Sequence, residues 1–568
     1  MSRPAIVQSD RTVLVEVDHP AYEQARDVLA RFAELERSPE HVHTYRLSSL
    51  ALWNAAALGV TVDDVLTGLA EVSRFEIPAN VVHEIREVFS RHGVCRIVDG
   101  EAPSSLWFEV TDPALRARLE RDPKLSPRLT RHGDRFALAV IDRGPVKRAL
   151  LGLGYPVEDV AGLVDGEPLV VGARRESFTP YPYQTAAAET FVRTGHGVVV
   201  LPCGAGKTVI GLLIMEALGT RTLILASNRE AAAQWKRELC AKSTLREDEV
   251  AIYEGARTPA IGPVTIATYS MMSKRGGGGA TGFTHFDRLA TEPWGLVIYD
   301  EVHLVPAPIF QLTAQLQARR RLGLTATLVR EDGRQSDVFA LIGPKRFEIG
   351  WRVLEHSGHI AQATCFEVRV AMSAVRGAVY AEAAPRDQPA IAAANPTKLA
   401  AMHALVERHR GERILVMGTY VEPLRAAARA LDAPLIWGGT PHREREKIFA
   451  AFRSGATRTL VLSRVGNFAI DLPEASVLIQ LSGTMGSRQE EAQRLGRILR
   501  PKPGGASFYT VVTRHTREED LALHRQLFLT EQGYRFFIED MTELPAVEED
   551  LAALHRIEEI GDQDAVFN

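Results

Sequence analysis

The sequence predicts an α/β protein with two parallel-sheet lobes in tandem, preceded by an α+β N-terminal domain. Three observations predict it. From about Arg175 onward, short apolar runs rich in Val, Ile and Leu alternate with helical stretches, the pattern of βαβ units whose strands are buried on both faces. The alternation pauses between about residues 345 and 410, where Ala and Pro accumulate, and then resumes. Before Arg175 helices and strands mix without that rhythm, and a length of 568 residues leaves room for three or four units of ~150 residues each.

Taken in order, residues 1–140 form an N-terminal accessory domain. Its segment AYEQARDVLARFAELERS reads as one amphipathic helix, with Tyr22, Ala25, Val28, Leu29 and Phe32 along one stripe. SLWFEVTD and DRFALAVI read as strands, and residues 141–175 as a turn-rich connector. His41 and His43 have no further ligand close in sequence and read as a loop pair rather than a metal site. Residues 176–348 make the first lobe, with GVVVL, TLILA, VTIA, LVIY and RLGLT as its strands. Residues 349–545 make the second, with RILVM, LIW, TLVLS, VLIQ and ASFYTVV, and with a small insertion near 372–397. Residues 546–568 are an acidic tail.

Composition narrows the function classes. With 45% hydrophobic and 24% charged residues, wholesale disorder and collagen-like architecture are excluded. No apolar run approaches the roughly 20 residues of a membrane helix, so no membrane partner is expected. The opening residues lack a signal-peptide pattern, and the expectation is a cytoplasmic protein. The four cysteines lie too far apart for a disulfide framework or a zinc cluster. The net charge of -4 hides an uneven distribution: residues 537–568 hold ten acidic residues against one basic, leaving about +5 on the rest. Between Arg121 and Leu150 eight basic residues face three aspartates, either a solvated face or a phosphate-contacting stripe.

The strongest chemical signal is LPCGAGKT, Leu201–Thr208. It follows an apolar strand and opens an apolar helix, the setting of a phosphate-binding loop. In Cys203, Gly204, Ala205 and Gly206 small side chains let backbone N–H groups curl around phosphate oxygens, helped by the helix N-terminus. Lys207 would reach the β- and γ-phosphates of a nucleotide, and the Thr208 hydroxyl would bind Mg²⁺. Leu201 stands where the strict pattern has its first glycine. The second signal is LVIYDEVH, which sets Asp300 and Glu301 at the end of a strand: one carboxylate for the Mg²⁺ shell, its neighbour to polarise the attacking water. The third is QRLGRILR, where helical spacing places Gln493 and Arg500 beside Arg494 and Arg497, with Arg497 and Arg500 as candidates for transition-state charge.

The order of these motifs resembles superfamily 2 helicases, and specifically the XPB family of DNA repair and transcription helicases. The matching stretches are YPYQ (181–184), LPCGAGKT, SNREAAAQWKREL (227–239), ATYSMM (267–272), DEVH (300–303) and LGLTATLVRED (322–332). In the second lobe they are VGNFAIDLPEASVLIQ (465–480), GSRQEEAQRLGRILR (486–500) and EQGYRF (531–536). The resemblance implies two RecA-like lobes, ATP and Mg²⁺ as cofactors, DNA as the partner, and a partner nuclease or repair factor. It implies that Gln184 reads adenine and that Lys207, Thr208, Asp300 and Glu301 form the ATP·Mg²⁺ site. By the same resemblance His303, Thr325 and Thr327 link hydrolysis to lobe movement, and Gln493, Arg497 and Arg500 close over the phosphates. Asp471 senses nucleotide or strand position, Arg330, Glu331 and Asp332 match a charged strand-separating loop, and residues 372–397 match a thumb. The implied activity is an ATP-dependent 3′-to-5′ DNA helicase. The alternatives are a double-strand DNA translocase without unwinding, or an ATP-switched structural subunit of a repair complex.

Overall fold

The computed structural model describes residues 3–39, 41–101, 105–161, 164–254, 260–276, 282–305, 316, 318–327, 335–463, 472, 474–483, 487–502 and 504–544. Arg330, Glu331, Asp332, Asp471 and the acidic tail lie outside them. The chain forms two compact units, the first taking most residues up to Ile349 and the second the residues from Gly350 on together with Arg37–Pro39 and Cys203–Ala205.

The first unit opens with a four-stranded sheet in the order Ala5–Val7, Thr12–Glu16, Val42–Arg46, Glu34–Arg37. The amphipathic helix expected across residues 21–38 runs only over Tyr22–Leu29. The run beyond it, Glu34–Arg37, sets a buried Leu35 between the exposed Glu34 and the half-buried Glu36 and is a strand, because period two suits a sheet edge and period 3.6 does not. Three helices follow, Ser49–Ala57, Val62–Val72 and Ala79–Ser90. The second starts with a reciprocal cap: Thr61 Oγ1 accepts from the Asp64 N–H at 3.1 Å while Asp64 Oδ2 accepts from the Thr61 N–H at 2.8 Å. The two histidines are spent separately, His43 Nδ1 bonding the Tyr22 hydroxyl at 2.8 Å and His41 pairing with Asp18 at 3.0 Å.

A five-stranded sheet comes next, in the order Leu129–His132, Arg135–Ala139, Ser105–Val110, Cys95–Asp99, Val157–Asp159. Leu106, Phe108, Val110, Phe136 and Leu138 face its core, alternating with outward residues as the sequence pattern requires. Here the connector expectation is corrected. Residues 143–152 form a helix and Val157–Asp159 adds a parallel strand beside Cys95–Ile97, so much of 141–175 belongs to the domain. The basic stripe is corrected with it, because its last part is neither solvated nor available to phosphate. Arg143 and Lys147 are buried around Asp159, at 2.5 Å and 2.8 Å, and Arg321 of the first-lobe sheet joins them at 3.4 Å. A buried charge persists only when paired, and one carboxylate here serves three cations from both parts of the unit. The Trp53 and Phe339 rings, 6.2 Å apart, and the Asn54 side chain bonding the Lys345 N–H at 3.0 Å complete the junction.

The first-lobe sheet is wholly parallel, in the order Val250–Ile252, Val264–Thr268, Thr222–Ala226, Leu296–Asp300, Arg320–Thr325, His196–Val200, Lys345–Glu348. Its central strands are buried along nearly their whole length, which explains their continuous apolar runs. The second unit repeats the plan: Leu435–Ile436, Thr459–Leu462, Ile414–Met417, Val477–Gln480, Ala506–Thr513, Ala363–Val370, Phe536–Asp540, again all parallel. Helices Ala374–Glu382 and Gln388–Ala393 occupy the stretch expected as an insertion.

Candidate ATP site

Three loops meet at the carboxyl edge of the first-lobe sheet, where open α/β sheets bind ligands. They leave His196–Val200, Leu296–Asp300 and Arg320–Thr325, which are near neighbours in the strand order. The phosphate loop needs left-handed backbone at two points: Gly204 has φ of 83° and Gly206 a φ of 79°. Gly206 is also short of space, since a Cβ there would lie 2.5 Å from the Gln184 side-chain nitrogen. Gln184 therefore sits against the loop. It is buried at the start of helix Pro182–Thr194, with its Oε1 accepting from the Tyr181 N–H at 2.9 Å. Lys207 and Thr208 open the helix Lys207–Leu218.

Lys207 Nζ forms an ion pair with Glu301. Glu301 has a φ of 48°, unusual for a residue with a side chain, and this sharp turn carries the backbone away from the strand end. Burial and the adjacent Glu301 push the Asp300 carboxyl up to about 6. Burial acts on Glu301 in the same sense, but Lys207 and then His303 outweigh it and hold that carboxyl below its ordinary value. His303 Nδ1 bonds Thr325 Oγ1 at 2.7 Å and stands 3.6 Å from Glu301 Oε2. Thr325 Oγ1 in turn donates to the Thr327 carbonyl at 2.5 Å and accepts from its N–H at 3.1 Å. The structure thus brings Gln184, the phosphate loop, Asp300, Glu301, His303, Thr325 and Thr327 into one connected site.

Carboxylate and hydroxyl oxygens are hard donors, which suit Mg²⁺ better than a softer metal. Among the described residues Glu301 Oε2 is buried without a hydrogen-bond partner, as is Thr327 Oγ1, polar atoms that a hydrated cation or a phosphate would satisfy. Thr208 and Asp300 carry oxygen donors of the kind such an ion takes.

Two contacts of Asp300 have no counterpart in the sequence reading. Trp235 Nε1–H donates to Asp300 Oδ2 at 3.0 Å, and the Tyr269 hydroxyl donates to the Asp300 carbonyl at 2.7 Å. The sequence shows both residues only as members of longer stretches, and the one local signal is a tryptophan at mid-helix.

In the second unit, helix Arg488–Gly496 carries Gln493, and the helical spacing expected through Arg500 is corrected. Arg497 is the helix's C-cap, its N–H bonding the Arg494 carbonyl three residues back at 3.0 Å, so Arg500 lies beyond the helix. Arg494 is not presented outward. It is buried, bonding Gln480 Oε1 at 2.6 Å and the Ser482 carbonyl at 2.9 Å. Glu491 beneath it accepts from Gln480 at 2.8 Å and Thr510 at 3.2 Å, and lies 3.4 Å from Arg525. Gln493 is buried, while Arg497 and Arg500 are half-buried.

Comparison with known proteins agrees with the motif order. The family described as ERCC3/RAD25/XPB C-terminal helicase matches residues 354–561. Residues 177–330 match "Type III restriction enzyme, res subunit", and residues 5–133 match "Helicase conserved C-terminal domain". The chain is 48% identical to a DNA 3′-5′ helicase XPB of Mycobacterium tuberculosis over 96% of its own length and 99% of the relative's. It is likewise 48% identical to the DNA 3′-5′ helicase XPB of Kineococcus radiotolerans, over 95% and 97%. The transcription and DNA repair factor IIH helicase/translocase subunit XPB of Antonospora locustae is 35% identical, over 94% of this chain and 81% of that one. Likeness of this extent, running through both lobes and the N-terminal domain, makes the chain a member of the XPB family of helicases.

Proposed function

We propose that the protein is an ATP-dependent DNA helicase that moves 3′-to-5′ and acts in DNA repair. The observation that carries the reading is the Lys207–Glu301 pair, which joins a phosphate loop to the carboxylates at the end of Leu296–Asp300. Lys207 binds the β- and γ-phosphates. Thr208 and Asp300 hold Mg²⁺, which supplies charge neutralisation on the phosphates when bound. Glu301, kept ionised by Lys207, accepts a proton from the attacking water. Gln184 selects the base, while Cys203, Gly204, Ala205 and Gly206 line the phosphates with backbone N–H groups. The second lobe supplies Gln493 and the guanidiniums of Arg497 and Arg500 for charge that develops in the transition state. Through their mutual hydrogen bonds His303, Thr325 and Thr327 transmit the state of the site, Asp471 reports on nucleotide or strand, and Arg330, Glu331 and Asp332 part the strands.

DNA is the substrate partner, a nuclease or repair factor acts beside it, and the protein works in the cytoplasm on the nucleoid. No helix among the described residues is long and apolar enough to cross a membrane. A second reading is a double-strand DNA translocase without unwinding; the name of the Antonospora relative sets "translocase" beside "helicase".

Two variants test the site. Lys207→Ala should weaken nucleotide binding about tenfold or more, the worth of a charge-assisted phosphate contact. Glu301→Gln should keep binding and lose about a hundredfold or more in ATP turnover, as removal of a general base does. Near-normal turnover in Glu301→Gln would remove that residue from the mechanism.

A further inference from the structure

We propose that Trp235 is a positioning residue for the Asp300 carboxylate, and that Tyr269 fixes the backbone of the same residue. Trp235 lies in the middle of helix Arg229–Lys242, whose start is fixed by Asn228 Oδ1 accepting from the Ala231 N–H at 2.8 Å. The indole is 3% exposed, and its only polar atom is spent on Asp300 Oδ2 at 3.0 Å. Tyr269, equally buried, opens the short helix after strand Val264–Thr268 and bonds the Asp300 carbonyl at 2.7 Å. Two elements from one side of the sheet order therefore grip a single aspartate, one by its carboxylate and one by its backbone.

That grip answers a local need. Asp300 is the last residue of its strand, and the next residue turns through a left-handed φ of 48°. Beyond that point the strand ladder no longer constrains the side chain, and the Trp235 bond fixes the plane of the carboxylate. The phosphate-loop helix makes room for the anchor. At Gly211 a Cβ would stand 2.7 Å from the indole ring, so only glycine lets Trp235 pass beneath Lys207–Leu218 to reach Asp300. Outer partners of this kind orient metal ligands, and losing one costs about tenfold or more in metal affinity.

The inference rests on the reading that Asp300 holds Mg²⁺, and the test separates the two. Binding of a fluorescent ATP analogue to the full chain is followed at rising Mg²⁺ for wild type, Trp235→Phe, Tyr269→Phe and Asp300→Asn, with melting temperatures alongside. Trp235→Phe keeps an aromatic ring in place but loses the N–H; Tyr269→Phe loses only a hydroxyl. Trp235→Phe should need about tenfold more Mg²⁺ for half-maximal binding. Tyr269→Phe should shift the same way by about threefold, the two aromatic variants keeping wild-type binding in chelator, and Asp300→Asn should lose the Mg²⁺ response. A wild-type Mg²⁺ response in both aromatic variants, beside an Asp300→Asn that has lost it, overturns the role of Trp235. A Trp235→Phe that binds nucleotide poorly even in chelator makes the indole a support of the phosphate loop and overturns it equally. An unchanged response in Asp300→Asn overturns the assignment of Asp300 itself.

Discussion

Lys207 and Glu301 neutralise each other in this structure, so arriving phosphates must draw the ammonium away from the carboxylate. The consequence is a sign. Glu301→Gln removes a competitor for Lys207 and should bind nucleotide at least as tightly as wild type while hydrolysing it far more slowly, whereas a binding loss matching that of Lys207→Ala would mean that Glu301 organises the loop. At this scale much of the site was legible, because a phosphate loop writes its chemistry into consecutive residues: Gly204, Gly206, Lys207 and Thr208 each answer a local backbone or ligand demand. Trp235 and Tyr269 were not legible. Their partner lies 65 and 31 residues away, and nothing in a helix's own periodicity tells a core tryptophan from one whose N–H is spent on a carboxylate.

Among the elements, the junction around Asp159 makes the sharpest prediction. Asp159→Ala leaves Arg143, Lys147 and Arg321 buried without their common counter-ion and should cost about 3–5 kcal/mol in denaturant unfolding. A change within about 0.5 kcal/mol, the range of surface substitutions, would place the cluster in water. The same cluster has a pH signature. Burial, with Arg321 and Arg143 against the pull of Asp159, lowers the Lys147 amine to about 8, whereas in the unfolded chain it sits near 10.4. Between those values the unfolded chain holds a proton that the folded chain has released, so this group adds stability as pH rises. Wild type should therefore gain melting temperature relative to Lys147→Met from about pH 8 to pH 10, and a difference that shrinks over that range would contradict the buried site. The sequence could not announce this junction, because a buried arginine and an exposed one look alike until their carboxylate is found. The same holds for strand Ala363–Val370, hidden by its Glu367, which is buried only because Gln526 and Arg369 bond it at 2.9 Å and 2.8 Å. By contrast the strands around the site were plain, since central parallel strands must be apolar on both faces.

Over the whole molecule, the two parallel seven-stranded sheets follow the rhythm that the sequence shows after Arg175, and the N-terminal domain is the part where reading failed most, its antiparallel edges and short helices carrying no repeating unit. Family membership runs over 96% of the chain, and the activity that goes with it is unwinding driven by ATP. The most direct measurement is strand displacement with parallel ATP turnover, on duplexes that differ only in carrying a 3′ tail, a 5′ tail or no tail, with Lys207→Ala as the control. DNA should stimulate turnover, the strand should leave the 3′-tailed duplex only with ATP, and Lys207→Ala should release none. DNA-stimulated turnover without release from any of the three duplexes would contradict unwinding and leave a translocase that moves along DNA without opening it.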